Sequence, residues 1–166
     1  MALIFKTADE QHRWFAVDDG VMGGVSQSTF SVNEGCGWFH GEVSLENGGG
    51  FASVRRQPDE FEVSLTRAAG IRLTVKGDGR VYQLRLKSRQ LSDACAYRVI
   101  MTPPADEWQT LSFPWQAFDA IRRGSLLTDA PPLEADSITQ LGFLIADRTA
   151  GPFCLGVQRL EPSDHL

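Results

Sequence analysis

Three features of the 166-residue sequence predict an all-β fold, a jelly-roll β-sandwich of antiparallel strands with one or two short helices. Apolar and polar residues alternate with period two along much of the chain, which is the mark of strands with one buried face. Sixteen glycines and eight prolines punctuate these runs and supply the turns that a sandwich requires. No strand-like run leads into a long amphipathic helix, which disfavours parallel βαβ units.

In chain order, Thr7 followed by Glu10 reads as a capping box and predicts a short helix from about Ala8 to Trp14. The run "VDDGVMGGVSQS" (17–28) follows, and after it "QSTFSV" reads as a strand. In "FHGEVSL", Phe39, Val43 and Leu45 share one side, with His40, Glu42 and Ser44 on the other. "NGGG" (47–50) breaks the chain and "FASVR" resumes it. Ile71, Leu73 and Val75 then alternate with Arg72, Thr74 and Lys76; after "GDGR", Tyr82, Leu84 and Leu86 alternate with Gln83, Arg85 and Lys87. Asp-Gly between two alternating runs predicts a β-hairpin, with Arg72, Lys76, Arg85 and Lys87 on one polar face. Further strands are expected at Ala94–Met101, Trp108–Phe113, Gln140–Asp147 and Pro152–Glu161. "PWQAFDAIRRG" is expected to form a short helix or 3₁₀ turn between Pro114 and Gly124, and "LLTDAPPLEAD" a loop. No boundary or repeat interrupts this pattern, so residues 1–166 are read as one domain with a sandwich core over about 14–161.

The net charge of −5 speaks against general nucleic-acid binding, yet the charge is unevenly distributed. Arg67 to Arg98 holds eight Lys and Arg against two acids, Asp78 and Asp93, so the excess of acid lies in the rest of the chain. Cys36, Cys95 and Cys154 are widely spaced with no C-x-x-C pair, which indicates neither a zinc site nor a disulfide framework. Cys95 and Cys154 are expected as small buried hydrophobes. The longest apolar run near the C-terminus, Leu141–Ala146, is too short to span a bilayer, and "MALIFKTADEQ" is too weakly apolar for a secretion signal. No membrane insertion and a cytoplasmic location are expected.

A nucleotide-binding glycine loop joins a strand to a helix, but "DDGVMGG" leads into a strand and no P-loop lysine follows. Two readings of Asp18 and Asp19 stay open: hard oxygen ligands for calcium, joined by Glu46 or Glu161, or an Asx-type brace accepting backbone N–H groups of the "ENGGG" loop. In the second, Gly23 and Gly24 permit close backbone approach and Met22 fills an irregular gap. His12, His40 and His165 are isolated, and Ser26, Ser44 and Ser53 lack a nucleophile-elbow context, so no catalytic residues and no cofactor are assigned. The basic stripe reads either as a solvated outer face or as a recognition face for an acidic partner, a glycan or a phosphate-bearing ligand, with Arg85 and Arg98 at its centre. Tyr82, Tyr97 and Trp108 are the nearby candidate stacking rings, Tyr82 falling on the apolar side.

Trp14, "DDGVMGGVSQS", "FHGEVSLENGGGFASVR", "GIRLTVKGDGRVYQLRL" and "LGFLIAD…GPFCLGVQRL" resemble the complex I intermediate-associated protein 30 family over about Trp14–Leu160. Its namesakes are assembly factors for respiratory NADH:ubiquinone oxidoreductase. The resemblance implies a galactose-binding-like jelly roll, a non-catalytic protein-binding role and no catalytic residues. The chain looks like a free-standing bacterial relative without presequence. The implied partner is another protein, such as a respiratory complex subunit or assembly intermediate; a carbohydrate-binding module using the polar sandwich face is the alternative. The motif loops and the basic face together nominate Asp18, Asp19, Met22, Glu46, Asn47, Arg55, Arg72, Arg85 and Arg98 for binding.

Overall fold

The computed structural model describes residues 3–5, 8–58, 65 and 67–164. Their strands form two sheets with antiparallel pairing throughout. The first sheet orders β3 (Gln27–Asn33), β4 (Cys36–Val43), β13 (Gly151–Ser163), β6 (Gly70–Lys76) and β9 (Trp108–Pro114), with β1 (Leu3–Ile4) also paired to β13. The second orders β11 (Ser125–Leu126), β10 (Asp119–Arg122), β8 (Cys95–Met101), β7 (Tyr82–Ser88), β12 (Ile138–Ile145), β5 (Ala52–Arg56) and β2 (Trp14–Ala16).

Alternation decides what lies between the sheets. Phe39, Ile71, Leu73, Val75, Leu155 and Val157 of the first sheet are buried, as are Val54, Tyr82, Leu84, Leu86, Phe143 and Ile145 of the second. Trp14 closes one end of this core, stacked on Phe30 with centroids 3.9 Å apart and planes 12° from parallel. Its indole Nε1 donates to Glu10 Oε2 at 2.8 Å, and Arg56 Nε donates to the same oxygen at 2.9 Å. The buried carboxylate is thus matched by donors, without which its desolvation would destabilise the fold.

Several sequence expectations are corrected. The helix spans only Ala8–Gln11, because Trp14 already pairs with Arg56 as the start of β2; Thr7 of the expected capping box lies outside the described residues. The "GDGR" segment does not close a hairpin. It carries the chain from β6 in one sheet to β7 in the other, and Asp78 holds the crossing by accepting the Tyr82 hydroxyl at 2.9 Å and the Cys154 N–H at 2.8 Å. Two-residue hairpin turns instead occur at Glu34–Gly35 and Arg123–Gly124, where both residues have φ between 50° and 81°. Accordingly, "PWQAFDAIRRG" is a 3₁₀ turn only over Trp115–Ala117, and Asp119–Arg122 is strand β10. Leu45 falls beyond the end of β4 and is exposed, and so is Cys154, because Phe153 and Leu155 take the inward positions of β13.

Candidate functional site

The run 17–28 is built as a double clasp. Asp19, fully buried, opens the 3₁₀ turn Asp19–Met22, which ends at Gly23 in the left-handed region. Its Oδ1 accepts the Ser26 N–H at 2.9 Å; its Oδ2 accepts the Ser26 hydroxyl at 2.5 Å, the Gly50 N–H at 2.7 Å and the Phe51 N–H at 3.3 Å. Asp18 does the same one step along, accepting from the Ser28 N–H (3.1 Å), the Ser28 hydroxyl (2.5 Å) and the Ser53 N–H (3.0 Å). Burial pushes the Asp19 carboxyl up, but the Ser26 hydroxyl and the three backbone N–H groups outweigh it and hold the group below its ordinary value. The two carboxylates tie "VDDGVMGG" to the "ENGGG" loop and the start of β5, and their oxygens are committed to N–H and O–H donors. Among the described residues no group of three metal-ligating side chains gathers there. Glycine is demanded at Gly24 and Gly49, where a Cβ would stand 2.6 Å and 2.5 Å from the Asp19 carboxylate oxygens.

The clasp borders a cleft of about 790 Å³ on the outer face of the second sheet. Val17, Phe51 and Ser53 line it at one end; Ile121, Arg123 and Gly124 line it at the other. Strand register explains its charge. Arg55 pairs with Gly142, Gly142 with Arg85, and Arg85 with Arg98, so three arginines and one glycine form a row across β5, β12, β7 and β8. Arg55, Gly142 and Arg85 line the cleft, and Arg98 stands beside it, opposite Asp119 of β10, with which it forms no ion pair. Gly142 has no room for a side chain, since a Cβ would meet the Val54 carbonyl at 2.5 Å, and it leaves an open floor between Arg55 and Arg85. Arg85 and Arg98 are directly opposed like charges, an arrangement that destabilises an isolated pair of strands. Burial first, then Arg98 and Arg55, lowers the Arg85 guanidinium to about 10. Burial also lowers Arg55. Arg85 Nε donates to Gln83 Oε1 at 2.8 Å, whereas the buried Arg98 Nε has no hydrogen-bond partner. Lys87, the fourth cation of the face, donates to the Asp93 and Cys95 carbonyls.

The structure therefore gathers Arg55, Arg85 and Arg98 and separates the rest of the nominated set. Arg72 lies on the outer face of the first sheet, beside Glu161 (3.8 Å) and Ser163 (3.2 Å). The expected shared face of Arg72, Lys76, Arg85 and Lys87 does not exist, because β6 and β7 belong to different sheets. Asp18 and Asp19 are braces, Met22 ends the 3₁₀ turn, and Glu46 and Asn47 occupy the exposed turn Glu46–Gly48. Tyr82 and Tyr97 are buried in the core. Sequence reasoning passed over Gly142, although a lone glycine within the apolar run "QLGFLI" is itself a signal of close backbone approach. It also overlooked a second surface feature, a row across the first sheet in which Trp38, Gly156, Lys76 and Trp108 are neighbours in register. The two indoles lie 6.0 Å apart at 59°, and Trp108 is 36% exposed.

The architecture is that of known sugar-binding sandwiches. A family 11 carbohydrate-binding module from Clostridium thermocellum, solved with a β-1,3-1,4-mixed-linked tetrasaccharide, superposes with a TM-score of 0.66 at 15% identity, covering 99% of this chain and 98% of that one. An agarase gives 0.60 at 9% identity over 98% of this chain and 24% of its own. These likenesses concern the galactose-binding-like jelly-roll fold. In sequence, a mitochondrial complex I intermediate-associated protein 30 from Neurospora crassa is 27% identical over 138 residues, 74% of this chain and 49% of the relative. Its counterpart from Mus musculus is 24% identical over 172 aligned residues, 92% of this chain and 52% of the relative. The chain thus spans about half the length of these relatives. Residues 3–157 match the family description as a whole, from β1 through the clasp and the arginine row into β13, and the chain belongs to the complex I intermediate-associated protein 30 family.

Proposed function

We infer that this chain is a non-catalytic protein-binding module that acts in the assembly of a respiratory complex, holding a subunit or an assembly intermediate. Family membership suggests the assembly role. The cleft carries the binding reading: it offers cations, amides and apolar groups from several rigid strands, and Asp93 is the lone acid among its lining residues. General acid–base chemistry on such a face would lack the convergent carboxylates or histidine it employs. Among the described residues no helix is long and apolar enough to cross a membrane. Affinity purification of the chain from its native cell, with mass spectrometry of what accompanies it, tests the reading. Subunits or intermediates of a respiratory complex should be enriched over a mock capture, and a capture indistinguishable from the mock would refute it.

A second reading, carbohydrate binding, is favoured by one observation, the half-exposed Trp38–Trp108 pair. The cleft itself does not favour it, for its lining rings are Phe51 and the buried Phe143. A mixed-linked glucan oligosaccharide should then change the tryptophan fluorescence of the native chain but not of a Trp38→Ala/Trp108→Ala variant. No change in the native chain would remove this reading.

A further inference from the structure

We propose that the cleft on the seven-stranded sheet is the recognition site for an extended acidic segment of another protein, laid across the strands with its carboxylates on Arg55, Arg85 and Arg98. The proposal rests on the protein-binding reading above and names the chemistry of the partner.

The charge of the row is uncompensated. Two other arginines drawn into the fold have acids: Arg56 pairs with Glu10 at 2.9 Å, and Arg80 grips Asp147 through two nitrogens at 2.7 and 2.9 Å. Among the described residues, Arg55, Arg85 and Arg98 form no ion pair, although they share one cross-strand row. Three partly desolvated like charges raise the free energy of the empty cleft, and a carboxylate-bearing ligand lowers it. The buried Arg98 Nε is a donor still lacking an acceptor, and a guanidinium presents donors in a fork that carboxylates match. A low native affinity of Arg85 for its proton has the same origin and would rise on binding.

The shape of the cleft suits an extended segment. From β5 to β8 the row crosses three inter-strand gaps, roughly 14 Å at about 4.8 Å each, which is the reach of about four residues in extended conformation. Gly142 keeps the floor of that path free of a side chain. Around the cations the lining is apolar, from Phe51 and Ile121 at its ends and Ala96 and Leu144 along it, so the site suits a segment in which acidic and apolar side chains alternate.

The floor withholds what other ligands would need. Its backbone N–H groups are spent in the sheet ladders, and among the described residues no helix N-terminus lines it, so free phosphate finds mainly side chains. Neutral sugars find one half-buried ring there, Phe51, since Phe143 is buried.

The test uses the full chain and a fluorescent peptide of about seven residues alternating glutamate with valine, beside the same peptide with glutamine for glutamate. Anisotropy should give at least about tenfold tighter binding of the glutamate peptide, weakening by about tenfold as salt is raised from roughly 50 to 500 mM. An Arg85→Ala/Arg98→Ala variant should lose at least about tenfold, and Arg72→Ala, on the opposite sheet, should lose nothing. The double variant removes mutually repelling charges rather than half of an ion pair, and its melting curve verifies that it folds. Equal binding of the two peptides, or none by the wild type at about 1 mM, would overturn the proposal, since a charge-selective site must separate them. So would displacement of the peptide by polygalacturonate or inorganic phosphate at lower concentration than by unlabelled peptide. If the double variant still captures the natural partner, the acidic-segment proposal fails while the assembly reading stands. If the peptide binds as expected but wild type captures no partner, the assembly reading alone fails.

Discussion

Replacing Asp19 with alanine should destabilise the fold by about 3 kcal/mol. The variant removes four hydrogen bonds to a fully buried carboxylate. The Ser26 hydroxyl can turn to the Ser44 carbonyl, 3.1 Å away, so its loss is small. The Phe51 bond, at 3.3 Å, is the weakest. The decisive losses are the N–H groups of Ser26 and Gly50, whose bonds are 2.9 and 2.7 Å long. Each charge-assisted bond of this kind contributes about 1.5–3 kcal/mol, for a gross loss of about 3–6 kcal/mol. No longer burying a carboxylate offsets part of this, and water reaches half-buried Gly50, which leaves about 3 kcal/mol net. For a chain of this length that corresponds to a fall in Tm of about 6–12 °C. Urea unfolding followed by circular dichroism measures it, with the native signal unchanged before the transition. A loss below about 1 kcal/mol would refute the bracing role. A variant that melts like the wild type yet no longer captures its partner would turn the clasp into a contact surface.

Other outcomes follow from the same geometry. Gly24→Ala puts a methyl group 2.6 Å from Asp19 Oδ1; it should cost about 1–3 kcal/mol in the wild type and clearly less beside Asp19→Ala, a coupling read from a double-mutant cycle. Asp19 and Asp147 titrate below the usual carboxylate range, Asp147 chiefly through its bonds to Arg80. Their contribution is therefore complete above about pH 4 and lost as pH falls through the folded values, so urea midpoints should hold steady down to about pH 4 and drop below it; a midpoint already falling between about pH 6 and 5 would contradict this. Burial raises both tyrosines of the chain, Tyr82 and Tyr97, and phenolate absorbance should appear only with alkaline unfolding. A thiol reagent should modify one cysteine in the native chain, Cys154, slowly because its thiol is also raised by burial, and all three after denaturation.

The sheets were legible because alternation is local: Ile71, Leu73 and Val75 face inward as their spacing demands, and so do Tyr82, Leu84 and Leu86. The clasp was legible because adjacent aspartates beside paired glycines imply carboxylates accepting backbone N–H groups. Assignment of strands to sheets was not legible. An Asp-Gly pair signals a turn, but only the packing of Asp78 on Tyr82 and Cys154 decides that the turn crosses between layers. For that reason the expected four-cation face dissolved, while Arg85 and Arg98 proved to be partners: β7 and β8 are consecutive strands that do pair. Arg55 and Gly142 entered the row through β12, which pairs with β5 and β7 from more than fifty residues away in sequence. No local pattern encodes that register. Asp119–Arg122 was misassigned because a Pro start and a Gly end bracket helices and hairpins alike.

The clasp also separates inheritance from specificity. Val17, Phe51 and Ser53 receive or donate its hydrogen bonds and at the same time form one wall of the cleft. The aspartates thus frame the opening without facing it, and under the acidic-segment proposal the filling is decided by Arg55, Arg85 and Arg98 over the floor at Gly142. A variant can keep every residue of the frame and Gly142, exchange the three arginines, and hold a different cargo on the same scaffold. Under that proposal the clasp supplies the frame, and the choice of partner lies across the strands beside it.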